Sequence, residues 1–103
     1  MKNILYISLS LLSLSAFAQT KTEKEAQKAM ANSKKYTYEG NTALKSDKPI
    51  QAEVEYRKAI SQNGSNPHAV YNLGCALMMQ QKDSAAIVQL ENAGKMESNK
   101  TRK

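Results

Sequence analysis

The chain carries one histidine and one cysteine, His68 and Cys75, and these are the first residues to test for chemistry. A cysteine–histidine nucleophile needs the two side chains within hydrogen-bond reach. Seven positions apart on a helix they share a face, but two turns separate them by about 10 Å. The paired carboxylates, Glu53 with Glu55 and Glu23 with Glu25, lie two positions apart and diverge around a helix. No His, Cys, Asp or Glu spacing suits a metal, and no glycine-rich loop suits a phosphate. The sequence therefore predicts a protein with no catalytic residues, no cofactor and no metal, whose chemistry is that of contact.

Charge narrows the kind of contact. Fifteen Lys and Arg against nine Asp and Glu give a net charge of +6. Some of that excess sits in the tail, Asn99-Lys100-Thr101-Arg102-Lys103, and elsewhere Lys and Glu interleave, as between Lys21 and Lys28. Interleaving of this kind reads as a solvated face, and residues 19–32 as a charged linker or a helical extension. No aromatic residues alternate with the lysines to stack on bases, so the expectation is no nucleic acid. An anionic protein or membrane surface suits the charge better.

The amino terminus is a targeting segment rather than structure. Met1-Lys2-Asn3 is a positive start, Ile4 to Leu14 an apolar run, and Ala16-Phe17-Ala18 a small-residue processing site, with the cut before Gln19. A membrane-spanning helix needs about 20 apolar residues. This run is shorter and is broken by Ser8, Ser10 and Ser13. No cysteine follows it to carry a lipid. The expectation is a signal peptide over residues 1–18 and a mature protein that is exported, soluble and periplasmic, with no transmembrane segment left. Loss of Lys2 with the leader lowers the net charge by one, to +5. With Cys75 alone, no internal disulfide can form even in an oxidising compartment, and a small buried apolar role is the plainer expectation for it.

The elements that position all these residues follow from an internal period. Gly40 returns as Gly74, Ala52 as Ala86 and Ala59 as Ala93, each 34 positions later. Bulky positions move with them: Tyr36 to Val70, Ala43 to Leu77 and Tyr56 to Leu90. Tyr36, Gly40, Ala43 and Leu44 form a helical stripe over residues 33 to about 46. After Ser46-Asp47-Lys48-Pro49, a second stripe of Ala52, Tyr56, Ala59 and Ile60 runs to about Gln62. Asn63-Gly64-Ser65-Asn66-Pro67 ends it, with Gly64 suited to a left-handed C-cap, Asn66 to an N-cap and Pro67 to a first turn. A third helix runs from Pro67 to about Gln80 and a fourth from about Asp83 to Lys95. Two glycines inside helices, one period apart, need a packing reason, since each costs about 1 kcal/mol against alanine. The reason is a close helix crossing: Gly40, Gly74 and the four alanines let paired helices approach. Tyr36, Tyr56, Val70, Leu73, Leu77 and Leu90 fill the space beside the crossings.

These residues resemble the tetratricopeptide-repeat family, whose pattern is a bulky residue, Leu-Gly, Tyr, Ala, an aromatic, Ala and Pro. The second unit supplies Val70, Leu73-Gly74, Leu77, Ala86, Leu90 and Ala93; the first supplies Tyr36, Gly40, Ala52, Tyr56 and Ala59. Glu39 stands where Leu73 sits one period on, and Gly64 and Ser98 stand where proline is usual. The match spans residues 33–66 and 67–98, with a basic tail at 99–103. Tyr38-Glu39-Gly40-Asn41, the run from Ala52 to Ile60 and Tyr71-Asn72-Leu73-Gly74 look like the repeat proteins of bacterial aerotolerance (Bat) operons. The resemblance implies an all-α stack of two antiparallel helix pairs, a short solenoid. It also implies an envelope scaffold whose partners are membrane-anchored von Willebrand A-type proteins.

In this family the first helix of each pair lines a concave face that holds a protein or peptide. The matching positions are Lys34, Thr37, Asn41, Leu44 and Lys45, then His68, Tyr71, Asn72, Cys75, Met78 and Met79. Amides, an aromatic and soft thioethers suit adaptable peptide recognition. Of Met78 and Met79, one is expected in packing and the other exposed. Some members clamp a peptide carboxylate with a lysine and two asparagines. Asn41 and Asn72 match the asparagines, while Thr37 replaces the lysine and Lys34 lies about one turn away.

Repeats bury their faces on neighbours, so about three units with a cap are usual. Here the fourth helix would leave Ile87, Leu90 and Val88 uncovered. Either the chain is a piece of a longer repeat protein or its stack is finished by self-association or a partner. The expected function is an exported adaptor that binds envelope proteins through its concave face. The alternatives are a self-associating structural module and a fragment of a longer repeat protein.

Overall fold

The computed structural model describes residues 2–101, and the side chains of residues 22–100. The leader expected at 1–18 lies outside the residues whose side chains are described, as do Arg102 and Lys103 of the tail. The chain is all-helical: α1 (Lys2–Lys45), α2 (Pro49–Gln62), α3 (Pro67–Met79) and α4 (Asp83–Thr101). Residues 22–32 are therefore helical, continuous with α1, and α4 runs past Lys95 into the start of the basic tail. Among the described residues no helix is long and apolar enough to cross a membrane.

α1 pairs with α2 and α3 with α4, making two hairpins. α2 also packs on α3, α1 meets α3 along a narrower seam, and among the described residues α4 leans on α3 alone. Each hairpin turns in the same way. Asp47 and Gln81 take left-handed backbone, with φ of 59° and 62°. After α1, the Lys48 N–H donates to the Ala43 carbonyl at 2.9 Å and the Asp47 N–H to Leu44 at 3.1 Å. After α3, Lys82 donates to Leu77 and Gln81 to Met78, both at 2.9 Å. This paired bonding is the Schellman stop, which satisfies the carbonyls a helix end leaves free. Gly64 does not take the left-handed C-cap expected of it, since no glycine has positive φ among the described residues. The chain leaves α2 through extended Asn63 instead (φ −147°).

The core gathers on the facing sides of the hairpins: Ala43, Ala52, Tyr56, Leu73, Ala76, Leu77 and Ala86, with Leu44 and Ile60 packed against it. Ala59, Val70 and Ala93 are also buried. Both interior glycines sit at crossings. A Cβ on Gly40 would come within 2.5 Å of the Tyr56 ring, and one on Gly74 within 2.8 Å of the Leu90 side chain. Tyr36 is only half-buried, its ring 6.0 Å from the Lys35 ammonium and 5.7 Å from that of Lys58. Met78 and Met79 are both exposed, so neither supplies the packing expected of one of them.

Candidate functional site

The seam between the hairpins is polar and is tied by Asn66. As N-cap of α3, its Oδ1 accepts from the Ala69 N–H at 3.3 Å. Its Nδ2 donates to Ser33 Oγ at 2.9 Å and Thr37 Oγ1 at 3.2 Å. Ser33 Oγ in turn donates to the Ala59 carbonyl at 2.8 Å, and Thr37 Oγ1 to the Ser33 carbonyl at 2.7 Å. One asparagine thus joins α1, the end of α2 and the start of α3. Thr37, expected on the partner-binding face, is 9% exposed and belongs to this clasp. Its hydroxyl serves the fold because a buried hydroxyl without a partner is costly.

A second polar link lies one turn along. Tyr56 Oη donates to Asn41 Oδ1 at 2.6 Å, and Asn72 Nδ2 donates to the same oxygen at 2.9 Å. Burial pushes the Tyr56 phenol up to about 12, and the neighbouring Cys75 adds to the rise. The phenol therefore stays protonated at neutral pH and remains a donor. Two donors at once orient the Asn41 side chain through its Oδ1.

At the far end of the seam Glu53 takes the place of the amides. Gln80 Nε2 donates to Glu53 Oε1 at 2.9 Å and also approaches the Pro49 and Ala76 carbonyls at 3.3 and 3.2 Å, sharing two hydrogens among three acceptors. Arg57 pairs with Glu53 at 2.9 Å and Lys82 at 3.5 Å. The Gln80 hydrogen bond, helped by Arg57 and Lys82 against the cost of desolvation, holds the Glu53 carboxyl below the usual carboxylate range.

Above the amide link, α1 and α3 frame an open cleft of about 640 Å³. It brings together Lys34, Thr37, Asn41, His68 and Asn72, five of the expected partner-facing residues. Leu44, Lys45, Tyr71, Cys75 and Met78 do not line it. Leu44 packs on the core, Lys45 is exposed at the end of α1, and on α3 Tyr71 and Met78 are exposed and Cys75 is half-buried. The cleft is also lined by Met30, Tyr38 and Lys100, which spacing alone did not single out. Tyr38 could have been found: it falls one turn from both Lys34 and Asn41 on a single stripe. Lys34 and Lys100 supply cations, and among the described residues no carboxylate lines the cleft. Such an arrangement can hold an extended chain by amide hydrogen bonds, an aromatic contact and attraction for negative charge. It offers no nucleophile with a base beside it. No protein-family model, no curated protein and no solved structure matches the chain.

Proposed function

We infer that this chain is an exported tetratricopeptide-repeat adaptor that acts by binding alone. It holds a peptide segment of an envelope protein in the cleft between α1 and α3. The observation that carries the reading is that two hairpins are built alike at an interval of 34 residues. Gly40 lies under Tyr56 as Gly74 lies under Leu90, and left-handed Asp47 closes the first turn as Gln81 closes the second. That recurrence supports the repeat assignment, and with it a binding face on the first helix of each pair. The amides Asn41 and Asn72 and the cation Lys34 favour a segment carrying acidic residues. The partner class is a membrane-anchored von Willebrand A-type protein, reached by a chain whose leader is removed before Gln19.

The test is site-specific photo-crosslinking in intact cells. A crosslinker at Tyr38 or His68, on the cleft, is expected to trap one membrane-anchored partner, while the same group at exposed Val54 on α2 traps none. Equal trapping from Val54 would end the cleft reading. Export is checked separately by the amino terminus of the periplasmic protein, expected at Gln19; a cytoplasmic chain that retains Met1 would overturn it.

A further inference from the structure

The first hairpin offers a seat that α3 fills, and four polar residues of that seat hold it. Ser33 and Thr37 accept from Asn66, Asn41 accepts from Asn72, and Glu53 accepts from Gln80. One period later the same four positions are Pro67, Tyr71, Cys75 and Ile87. The corresponding seat on the second hairpin therefore has apolar walls, and it is open. Tyr71 and Ile87 are each 55% exposed, and Met78 stands beside them 54% exposed.

Gly94 stands one period after Ile60 and shares a stripe of α4 with Ile87, seven positions earlier. It is the one helical glycine, among the described residues, whose added Cβ would meet nothing within 4 Å. Glycine weakens a helix interior, and Gly40 and Gly74 are each explained by a bulky side chain laid across them. Gly94 has no such side chain from its own fold. A notch of about 600 Å³ lies over it, lined by Glu91, Gly94, Lys95, Ser98 and Asn99. Glu91 and Lys95 flank the glycine, both exposed and neither in an ion pair among the described residues.

We propose that a second copy of this chain occupies the seat, the two α4 helices crossing antiparallel beside Gly94 about a two-fold axis. Charge decides for a copy in this orientation. An antiparallel crossing centred there sets Glu91 of each copy against Lys95 of the other, so a surface carrying both signs becomes its own complement. Tyr71, Met78 and Ile87 then close apolar surface against apolar surface. A head-to-tail arrangement fails. The face of the first hairpin that would have to enter the seat carries Lys35, Glu39 and Thr42, where α3 carries Ala69, Leu73 and Ala76. Glu39 would be forced against an apolar wall with no partner. The assembly is a closed dimer, not a filament.

Sedimentation equilibrium of the purified protein over about a hundredfold concentration range tests this, with circular dichroism to confirm that each variant keeps its helices. The expected result is a monomer–dimer equilibrium with no larger species. Glu91→Lys and Lys95→Glu should each raise the dissociation constant by about tenfold, and the double exchange should restore it to within about threefold. Gly94→Ala should raise the melting temperature of the dilute monomer and yet weaken the dimer, because the added methyl group helps the helix and blocks the crossing. A monomer at every concentration, open-ended growth, or a dimer indifferent to the single reversals would overturn the proposal, as would a double exchange that restores nothing.

Discussion

Asn66 and Ser33 are joined by a 2.9 Å hydrogen bond across 33 residues of chain, and the asparagine that makes it also caps α3. The first turn of one hairpin is thereby set by the first helix of the other. Two substitutions separate these duties. Asn66→Ala removes cap and clasp together and leaves the Ser33 and Thr37 oxygens short of a donor, so it should cost about 2–3 kcal/mol. Asn66→Asp keeps an acceptor for the Ala69 N–H but loses both Nδ2 bonds, and should cost about half as much. Urea unfolding of the two variants measures the difference; equal losses would mean that the clasp adds nothing to the cap.

The two crossing glycines should not respond alike to alanine. Tyr56 is fully buried and tethered through its hydroxyl to Asn41, so its ring cannot retreat from a methyl group on Gly40. Overpacking there outweighs the gain in helix propensity, and Gly40→Ala should destabilise by about 2 kcal/mol. Leu90 is half-buried, so its side chain, whose Cγ and Cδ lie over Gly74 beside the Ala86 carbonyl at 3.4 Å, has room to move aside. Gly74→Ala should stay within about 1 kcal/mol of the parent. Urea midpoints check the order.

Gln81 holds left-handed backbone without being glycine, asparagine or aspartate. The conformation costs a side-chain-bearing residue about 1–2 kcal/mol, part of which glycine would give back as lost chain entropy. Gln81→Gly should therefore stabilise by about 0.5–1 kcal/mol. Asp47→Gly should gain less, because aspartate tolerates this region. Thermal melts compare them.

Glu53 predicts a pH dependence. Its carboxyl is held below the ordinary 4.5 in the folded chain, first by Gln80. A depressed carboxyl contributes stability that is whole above its unfolded value and is lost as pH falls through the folded one. The parent should weaken below about pH 4.5. Glu53→Gln should start lower at neutral pH and show a shallower acid limb. Identical limbs would remove Glu53 from the acid response. Arg57 and Lys82 are half-exposed, so the ion pairs themselves add little.

Much of the helical framework was legible because small residues that recur inside helices point to close crossings. Gly40, Gly74, Ala52, Ala59, Ala86 and Ala93 all lie buried or at crossings. The turns were not legible. Their left-handed residues are Asp47 and Gln81, while the nearby glycine, Gly64, has ordinary backbone. A helix end closed by its own carbonyl bonding needs no glycine to signal it. In the cleft, Lys34, Asn41, His68 and Asn72 were singled out by the family resemblance and not by periodicity. Thr37 lines the cleft too, but its burial was not legible, since a position on a face says nothing of a neighbouring asparagine reaching over it. Asn66 read as a cap; its second amide function depends on Ser33, far away in sequence.

Among the described residues α4 has one neighbouring helix, and that has a consequence for how the molecule breathes. α2 is held on two sides, so its amides should exchange with solvent only when much of the fold opens. Those of α4 are exposed whenever its contact with α3 lapses, well short of global unfolding. In hydrogen–deuterium exchange α4 should label first, and its rate should slow as protein concentration rises if a second copy lies over it. A single helix thus serves as the reporter of whether the chain is alone.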